Sequence, residues 1–257
     1  MKEKRYLLLH SSLSSARQWQ PLMALLDPEK CVALDLLGYG QAMTQAWPRR
    51  AVTLDEEQAA LLKQLPSNWQ DFSWHLIGHS YGGVNALKLA HDFPEAIASL
   101  SLYEPVAFFL LVGEERETAL ALMAEISASL DAGQPEKAAE RFIDYWNQPG
   151  SFAALPERQQ QAFTLGIHKV AADFHALMSA SLNLDQLRQR ITQPTLLMQG
   201  SFSQPTAHQV IQQLAASLSL SQVVEFQAGH MGAISHSHEV NERIIHFLSE
   251  QPKITSH

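Results

Sequence analysis

Short apolar runs alternate with amphipathic stretches along this chain. The first runs cover residues 6–10 and 31–35 and are continuous, without a regular change between apolar and polar side chains. Continuous runs of this length are typical of parallel strands that are buried on both faces of a sheet. The same pattern predicts further strands at residues 73–77, 97–103, 195–200 and 223–226.

Helical spacing of apolar residues occurs between these runs. It predicts helices at residues 15–26, 54–65, 84–91 and 238–248. The second of these begins with three acidic residues, which favour the amino end of a helix. Alternating strands and helices predict an α/β fold with right-handed crossovers and a doubly wound, mostly parallel sheet of about six strands.

The alternation stops between the fourth and fifth predicted strands. The intervening stretch has the pattern of consecutive helices, at residues 119–130, 136–146, 157–170 and 172–182. Helices that follow one another without a strand are typical of an inserted unit. We therefore expect a core formed by residues 1–105 and 194–257, with residues 106–193 forming a helical cap.

Composition limits the classes of function. The chain has 257 residues and a net charge of -8, which argues against a nucleic-acid-binding surface. One cysteine, Cys31, cannot form a disulfide within the chain, and this fits a reducing compartment. The apolar runs are too short for a membrane helix and the start lacks a signal-peptide pattern. We expect a cytoplasmic protein that acts on a small molecule and binds neither membrane nor nucleic acid; its oligomeric state is left open.

A serine in a glycine-rich turn is the strongest chemical signal. The motif Gly78-His79-Ser80-Tyr81-Gly82-Gly83 follows a predicted strand and precedes a predicted helix. In this context G-x-S-x-G indicates a nucleophile elbow, in which a tight turn exposes the Ser80 hydroxyl and glycines allow close backbone contact. A plain loop of glycine and serine is the alternative, and it leaves the second glycine pair unexplained.

A serine nucleophile needs a base, and His230 is the best candidate among 12 histidines. It follows Gly229 just after the last predicted strand, at the edge of the sheet where catalytic groups collect. The nearby His236 and His238 have only Glu239 beside them as a further ligand type. We predict that they lie in a loop and at a helix start, and that the protein uses neither a metal nor another cofactor.

These features together resemble the α/β-hydrolase fold superfamily, and specifically a serine hydrolase with a helical cap. The elbow and the Gly229-His230 pair are the specific parts. Supporting segments are residues 7–10, residues 35–40 and Gly200 with its loop. The resemblance implies Ser80, an acid and His230 as a catalytic triad.

The loop His10-Ser11-Ser12 departs from the family, whose members often have His-Gly here. By position, the resemblance implies that the backbone N–H groups of Ser12 and Tyr81 form the oxyanion hole. In the alternative interpretation, the serines of this segment form turns and cap the helix near Trp19.

The acid is also displaced. Relatives often carry Asp three residues after the glycine that ends the next strand, where this chain has Ser203. Because a hydroxyl cannot hold the needed negative charge, a replacement is required. Haloalkane dehalogenase relatives take their acid from the strand after the elbow helix, which implies Glu104. In the alternative interpretation Glu104 caps or braces the first turn of the cap, and Asp35 is a weaker rival for the acid.

The substrate side is less defined. Phe108 and Phe109 open the cap and are our candidates for lining an apolar substrate pocket. Met123, Trp146, His168, His175 and Met178 are further candidates, for which ordinary helix packing is the alternative. No arginine or lysine of the cap stands out as a clamp for carboxylate or phosphate, which favours a mostly apolar substrate.

The sequence therefore predicts a serine hydrolase that cleaves a carboxylester or thioester through an acyl-enzyme on Ser80. Serine in place of aspartate at the nucleophile argues against dehalogenase and epoxide hydrolase chemistry, because both require a carboxylate nucleophile. A C–C bond hydrolase, an acyltransferase and a non-catalytic ligand-binding protein remain alternatives.

Overall fold

Six strands form one sheet in the computed structural model, which describes residues 2–48 and 50–251. The strands are β1 (Lys4–Leu9), β2 (Cys31–Leu34), β3 (Ser73–His79), β4 (Ile97–Tyr103), β5 (Thr195–Gly200) and β6 (Ser221–Phe226). Their order is β2-β1-β3-β4-β5-β6, and each neighbouring pair is parallel. The prediction of a doubly wound, parallel sheet of about six strands is confirmed.

Helices cover both faces of this sheet. They are α1 (Gln20–Met23), α2 (Leu54–Leu62), α3 (Tyr81–Asp92), α4 (Gly113–Asp131), α5 (Pro135–Trp146), α6 (Glu157–Ser179), α7 (Leu184–Arg190), α8 (Pro205–Ser217), α9 (Gly232–Ser235) and α10 (Ser237–Glu250). Alternate strand residues face opposite layers, as the period of a strand requires. Leu76 belongs to the core under α3 and α8, whereas its neighbour Ile77 belongs to the core under α1 and α10. This is why the central strands are continuously apolar.

Two helices differ from the pattern-based expectation. The predicted helix at 15–26 is reduced to α1 after a 3-10 turn at Ala16–Trp19, because Pro21 has no N–H to donate and is tolerated only in the first helical turn. The two helices predicted at 157–170 and 172–182 are one continuous helix, α6, and no glycine or proline interrupts its second half. Helices α7 and α8 are not among the predicted elements.

Helices α4 to α7 all lie between β4 and β5, within the predicted insertion at 106–193. Helix α5 packs between α4 and α6, while α7 contacts α3 and α8 beside the sheet. Helices α4 to α6 are therefore the part of the insertion available to cover the carboxyl edge of the sheet. The predicted core segment extends to residue 257, and its residues 252–257 lie outside the described part of the chain. No helix in the described part is long and apolar enough to span a membrane.

Candidate active site

Ser80 occupies the turn between β3 and α3. Its φ of 55° and ψ of -117° are unusual for a residue other than glycine, as a nucleophile elbow requires. The glycines beside it are needed for space. A Cβ on Gly82 would lie 2.2 Å from the carbonyl oxygen of Leu9, and a Cβ on Gly78 would lie 2.7 Å from that of Gly82. The motif thus folds as a tight strand-turn-helix unit with the Ser80 side chain at its apex.

Ser80, His230 and Glu104 form a continuous line of hydrogen bonds. The Ser80 hydroxyl lies 2.9 Å from His230 Nε2, and His230 Nδ1 lies 2.6 Å from Glu104 Oε2. Because an ionised carboxylate only accepts, Nδ1 carries the hydrogen and Nε2 is left to accept from the serine. All three side chains are buried. The structure therefore brings the three predicted residues together in the geometry of a serine nucleophile, its base and an orienting acid.

Ser203 contacts the displaced acid directly. Its hydroxyl donates to Glu104 Oε1 at 2.5 Å, and the backbone N–H of Gly200 donates to the same oxygen at 2.6 Å. Ser203, at the position where the resemblance implies an aspartate, therefore donates a hydrogen bond that stabilises the carboxylate of Glu104 at the end of β4. Glu104 needs this support because its φ is +42°, in a region that costs about 1–3 kcal/mol for such residues.

Strained backbone is concentrated at this site. Within residues 2–48 and 50–251, the non-glycine residues with positive φ are Leu13, Ser80 and Glu104. Leu13 and Ser80 line one cavity, and Glu104 lies behind His230 on the same edge of the sheet. Clustered strain of this kind is typical of functional sites.

His10 holds the loop that was predicted to supply an oxyanion donor. Its Nε2 accepts from the Leu36 N–H at 3.0 Å, so its Nδ1 carries the hydrogen and donates to the Ser11 carbonyl at 2.6 Å. Burial lowers the pKa of His10 to about 4, which keeps the ring neutral. Ser12 lines the cavity beside Ser80. Tyr81 is the first residue of α3, so its N–H has no partner within the helix and is available to an oxyanion.

The structure does not show the alternative roles of Ser15 as a helix cap and of Asp35 as the acid beside His230. The Ser15 side chain makes no capping hydrogen bond to the turn that contains Trp19. Asp35, the rival acid, accepts from the backbone N–H groups of Ala16 at 2.7 Å and Gln41 at 3.3 Å. Asp35 is therefore a brace for the loops that follow β1 and β2.

A cavity of about 380 Å³ opens above Ser80 and His230. Its apolar lining residues are Leu13, Phe142, Ile143, Trp146, Leu155, Phe163, Met231 and Ile234. Its polar lining residues, apart from Ser80 and His230, are Ser11, Ser12, Ser14, Asn147, Ser151 and Gln159. No lysine, arginine, aspartate or glutamate is among the described residues that line it. The described lining therefore combines a largely apolar wall with a few uncharged polar groups beside Ser80 and His230.

Phe108 and Phe109 do not line this cavity, contrary to their prediction as substrate-binding residues. The 3-10 turn at Phe108–Leu110 directs Phe108 into the core, where its ring packs 6.3 Å from that of Trp146. Phe109 borders a separate surface depression together with Leu184. Instead, Phe142 and Trp146 of α5 supply aromatic side chains to the lining of the cavity.

Trp146 also stacks on the catalytic histidine candidate. The two ring centroids are 3.8 Å apart and the planes differ by 22°. Of the other cap candidates, His168 and His175 line a different depression, and Met123 and Met178 pack against the core. The sequence identified Trp146 only as one of several candidates, because nothing in the spacing of α5 indicates which helix faces His230.

Within residues 2–48 and 50–251, no group of three or more histidine, cysteine, aspartate or glutamate side chains is placed to hold a metal ion. His236 lies between α9 and α10, and His238 lies in the first turn of α10. Glu104 and His230 are engaged with each other, and Ser80 bonds to His230.

Most of the chain is similar in sequence to known proteins. A sequence model of the alpha/beta hydrolase family matches residues 6–243. A biotin biosynthesis bifunctional protein BioHC from Teredinibacter turnerae is 30% identical over 95% of this chain and 44% of its own length. A fluoroacetate dehalogenase from a Burkholderia species is 26% identical over 76% of this chain and 70% of its own length. For most curated relatives, the matched region spans about half of their length or less.

Solved structures share the fold. MenH from S. aureus superposes with a TM-score of 0.75 and 23% identity, over 98% of this chain and 95% of that chain. At this identity the likeness shows the fold alone. Because the superposition covers 98% of this chain, both the sheet and the helices inserted after β4 have counterparts in that structure.

Proposed function

This chain belongs to the alpha/beta hydrolase family, and on that premise we propose that it is a serine hydrolase. It cleaves a carboxylester or thioester bond of a small, mostly apolar substrate through an acyl-enzyme on Ser80. The observation that carries this proposal is the unbroken hydrogen-bonded line Ser80–His230–Glu104, which ends in an uncharged cavity.

Each residue of the line has a step to perform. The Ser80 oxygen attacks the carbonyl carbon while its proton moves to His230 Nε2, 2.9 Å away. The resulting imidazolium is stabilised by the Glu104 carboxylate, and the oxyanion is bound by the N–H groups of Ser12 and Tyr81. His230 then gives the proton to the departing alcohol or thiol as the carbonyl re-forms. Water repeats the sequence on the acyl-enzyme, which releases the acid and restores Ser80.

The cavity limits the substrate. Its apolar lining, formed mainly by α5 with Leu155 and Phe163, favours an apolar acyl or alcohol group. A substrate carboxylate or phosphate would lose its hydration without gaining a charged partner from the described lining residues. Dehalogenation, the activity named for one relative, does not fit this site, because Ser80 supplies a hydroxyl where an alkyl-enzyme ester requires a carboxylate.

The proposal is tested with p-nitrophenyl esters of increasing acyl length. We expect hydrolysis of short and medium neutral acyl esters, and a rate at least about 100-fold lower for the matching hemisuccinate, which carries a free carboxylate. Ser80→Ala should abolish turnover. Ser67→Ala, at an exposed serine, is the matched control and should retain the native rate. Undiminished hydrolysis by Ser80→Ala would contradict the proposal.

A further inference from the structure

A second line of hydrogen bonds runs behind the triad and begins at Gln18. The side chain of Gln18 lies in the 3-10 turn Ala16–Trp19, and its Oε1 accepts from both the N–H and the hydroxyl of Ser11, each at 3.0 Å. Its Nε2 lies 3.0 Å from His79 Nδ1. On the far side of the ring, His79 Nε2 lies 2.8 Å from the carbonyl oxygen of His230.

The direction of every bond in this line is fixed by chemistry. The backbone N–H of Ser11 can only donate, so it must face Oε1 of Gln18 and not the amide nitrogen. Gln18 Nε2 then faces His79 and donates to Nδ1. A neutral ring with Nδ1 accepting carries its hydrogen on Nε2, and this hydrogen points at the carbonyl of His230, which can only accept.

His79 is suited to remain neutral in this position. It is fully buried, and burial together with the neighbouring His230 lowers its pKa to about 3. A protonated ring would place a second N–H against the donor amide of Gln18. The line therefore holds a single hydrogen-bond polarity throughout the neutral pH range.

The line joins three segments that must meet at one reacting carbonyl. Ser11 precedes the proposed oxyanion donor Ser12, His79 precedes the nucleophile Ser80, and the carbonyl belongs to His230 itself. Gln18 is absent from the residues lining the cavity, so it reaches the chemistry only through these neighbours. The serine that replaces the family's glycine at position 11 adds its hydroxyl to the same amide.

We propose that Gln18 is a positioning residue that sets the oxyanion loop, residues 10–12, against the loop carrying His230 by orienting His79. This inference rests on the proposed function. Removing Gln18 frees the Ser11 amide and the His79 ring, so the oxyanion donors lose their fixed position while the cavity keeps its walls.

Gln18→Leu and Gln18→Glu test this role against native protein, with Gln20→Leu at an exposed neighbouring glutamine as the control. For Gln18→Leu we expect kcat on the best p-nitrophenyl ester to fall about 10- to 100-fold, because misplaced oxyanion donors cost rate. KM should change by less than about twofold, since the residue does not contact substrate. Gln20→Leu should match the native protein in both constants.

Gln18→Glu provides a readout that a merely structural residue would not move. A carboxylate facing Nδ1 raises the pKa of His79, and a protonated ring keeps both bonds of the line. As pH rises, the ring retains its proton on Nδ1 and loses the bond to His230. The variant should therefore show a new decline of kcat with rising pH. His10, Tyr103 and His230 also face His79, but they are unchanged in all variants and cannot produce the difference.

The outcomes separate the two proposals. A folded Gln18→Leu variant with kcat within twofold of native, or with an effect confined to KM, would overturn the inference. If Gln18→Leu does not fold, a Gln18→Glu pH profile superimposable on the native one would overturn it instead. Absence of hydrolysis by the native protein would refute the proposed function, and the positioning role with it.

Discussion

The carboxylate of Glu104 accepts hydrogen bonds from three donors. Two of them, the Gly200 N–H and the Ser203 hydroxyl, share Oε1, so Oε2 is left for His230. This arrangement fixes the orientation of the carboxylate and therefore of the imidazole. In the proposed mechanism Glu104 supplies the negative charge, and Ser203 supports the carboxylate.

Glu104→Gln removes the charge and keeps the shape. We expect kcat to fall by about 10³- to 10⁴-fold, because an uncharged partner stabilises the imidazolium poorly and permits the wrong tautomer. Ser203→Ala removes one of the two donors to Glu104 Oε1, so we expect kcat to fall tenfold or less. Steady-state kinetics on one ester at constant pH compares the two variants. Equal losses in both would refute the assignment of separate roles.

The sequence alone predicted the role of Glu104, but it predicted neither the contact of Ser203 with Glu104 nor the position of Gln18. Glu104 could be inferred because Ser203 occupies the usual position of the acid, and because Glu104 ends β4, the strand that follows the elbow helix. The contact between Ser203 and Glu104 could not be inferred, because the two residues are 99 positions apart and their distance depends on backbone strain at Glu104. Gln18 gave no signal, since a half-buried glutamine has no distinctive spacing.

At the scale of elements, α5 connects the inserted helices with the catalytic edge. Its last residue, Trp146, stacks on His230, and its neighbour Tyr145 bonds through its hydroxyl to Thr206 at 2.8 Å. The carbonyl of Tyr145 also accepts from Gln204 at 2.6 Å. The end of α5 is therefore anchored to the start of α8, which holds the tryptophan face against the imidazole.

Replacing Trp146 tests this contact. A ring over the imidazolium is worth about 1–2 kcal/mol, so Trp146→Ala should lower kcat about 5- to 30-fold. Trp146→Phe keeps an aromatic face and should retain most of the rate. Stopped-flow or steady-state measurement of kcat distinguishes the variants, and thermal unfolding identifies any loss of packing. Full kcat in Trp146→Ala would show that the stacking is incidental.

Element boundaries show where local pattern is sufficient. Continuous apolar runs predicted every strand, because the central strands β3, β4 and β5 are buried on both faces, although the edge strand β6 is largely exposed. The helix predicted at 15–26 is too long, since its apolar spacing covers Pro21, whose missing N–H allows α-helical bonding only from Gln20 onward. Which helix of the insertion reaches His230 depends on packing between α4, α5 and α6, and sequence periodicity shows only that each has an apolar face.

At the scale of the whole molecule, a buried charged cluster joins α6 to the core. Lys169 donates to Glu57 of α2 at 2.6 Å and also to Asp173, one turn along α6. Tyr39, from the loop after β2, donates to Asp173 at 2.5 Å. The Lys169 ammonium lies 5.4 Å from the ring centroid of Tyr81, the residue directly after Ser80. The insertion is thus tied to the element that carries Ser80.

This cluster predicts a pH dependence of stability. Burial raises the pKa of Glu57 from 4.5 to about 7, with Asp173 adding to the rise and Lys169 opposing it. Between these pH values the folded protein binds more protons than the unfolded chain, so the free energy of unfolding contributed by Glu57 falls as pH rises toward 7. Above about pH 7 the loss is complete.

Glu57→Gln removes this titration and leaves Lys169 paired with Asp173. We expect the stability of the variant relative to native to increase by roughly 1–3 kcal/mol between pH 5 and pH 8. Urea unfolding at several pH values measures the difference. Buried His10, His75 and His79, whose pKa values are lowered to about 4, 4 and 3, affect both proteins and cancel. A difference independent of pH would contradict the prediction.

The family and the parallel α/β fold class were predictable for the molecule as a whole, because they follow from the alternation of strands and helices and from the elbow motif, whereas the strand order was not predicted. The buried cluster was not, since a lysine and two acids on two different helices carry no common pattern. The cavity was predicted as apolar from the absence of a charged clamp, but its lining residues depended on how α5 is anchored.

The proposed function requires Ser80 to be an activated nucleophile. Incubation with a fluorophosphonate probe followed by peptide mass analysis tests it directly, because the probe labels serines activated by a neighbouring base. We expect labelling of the native protein at Ser80 and none in Ser80→Ala. Absence of labelling in both proteins, or labelling at a different serine, would contradict it.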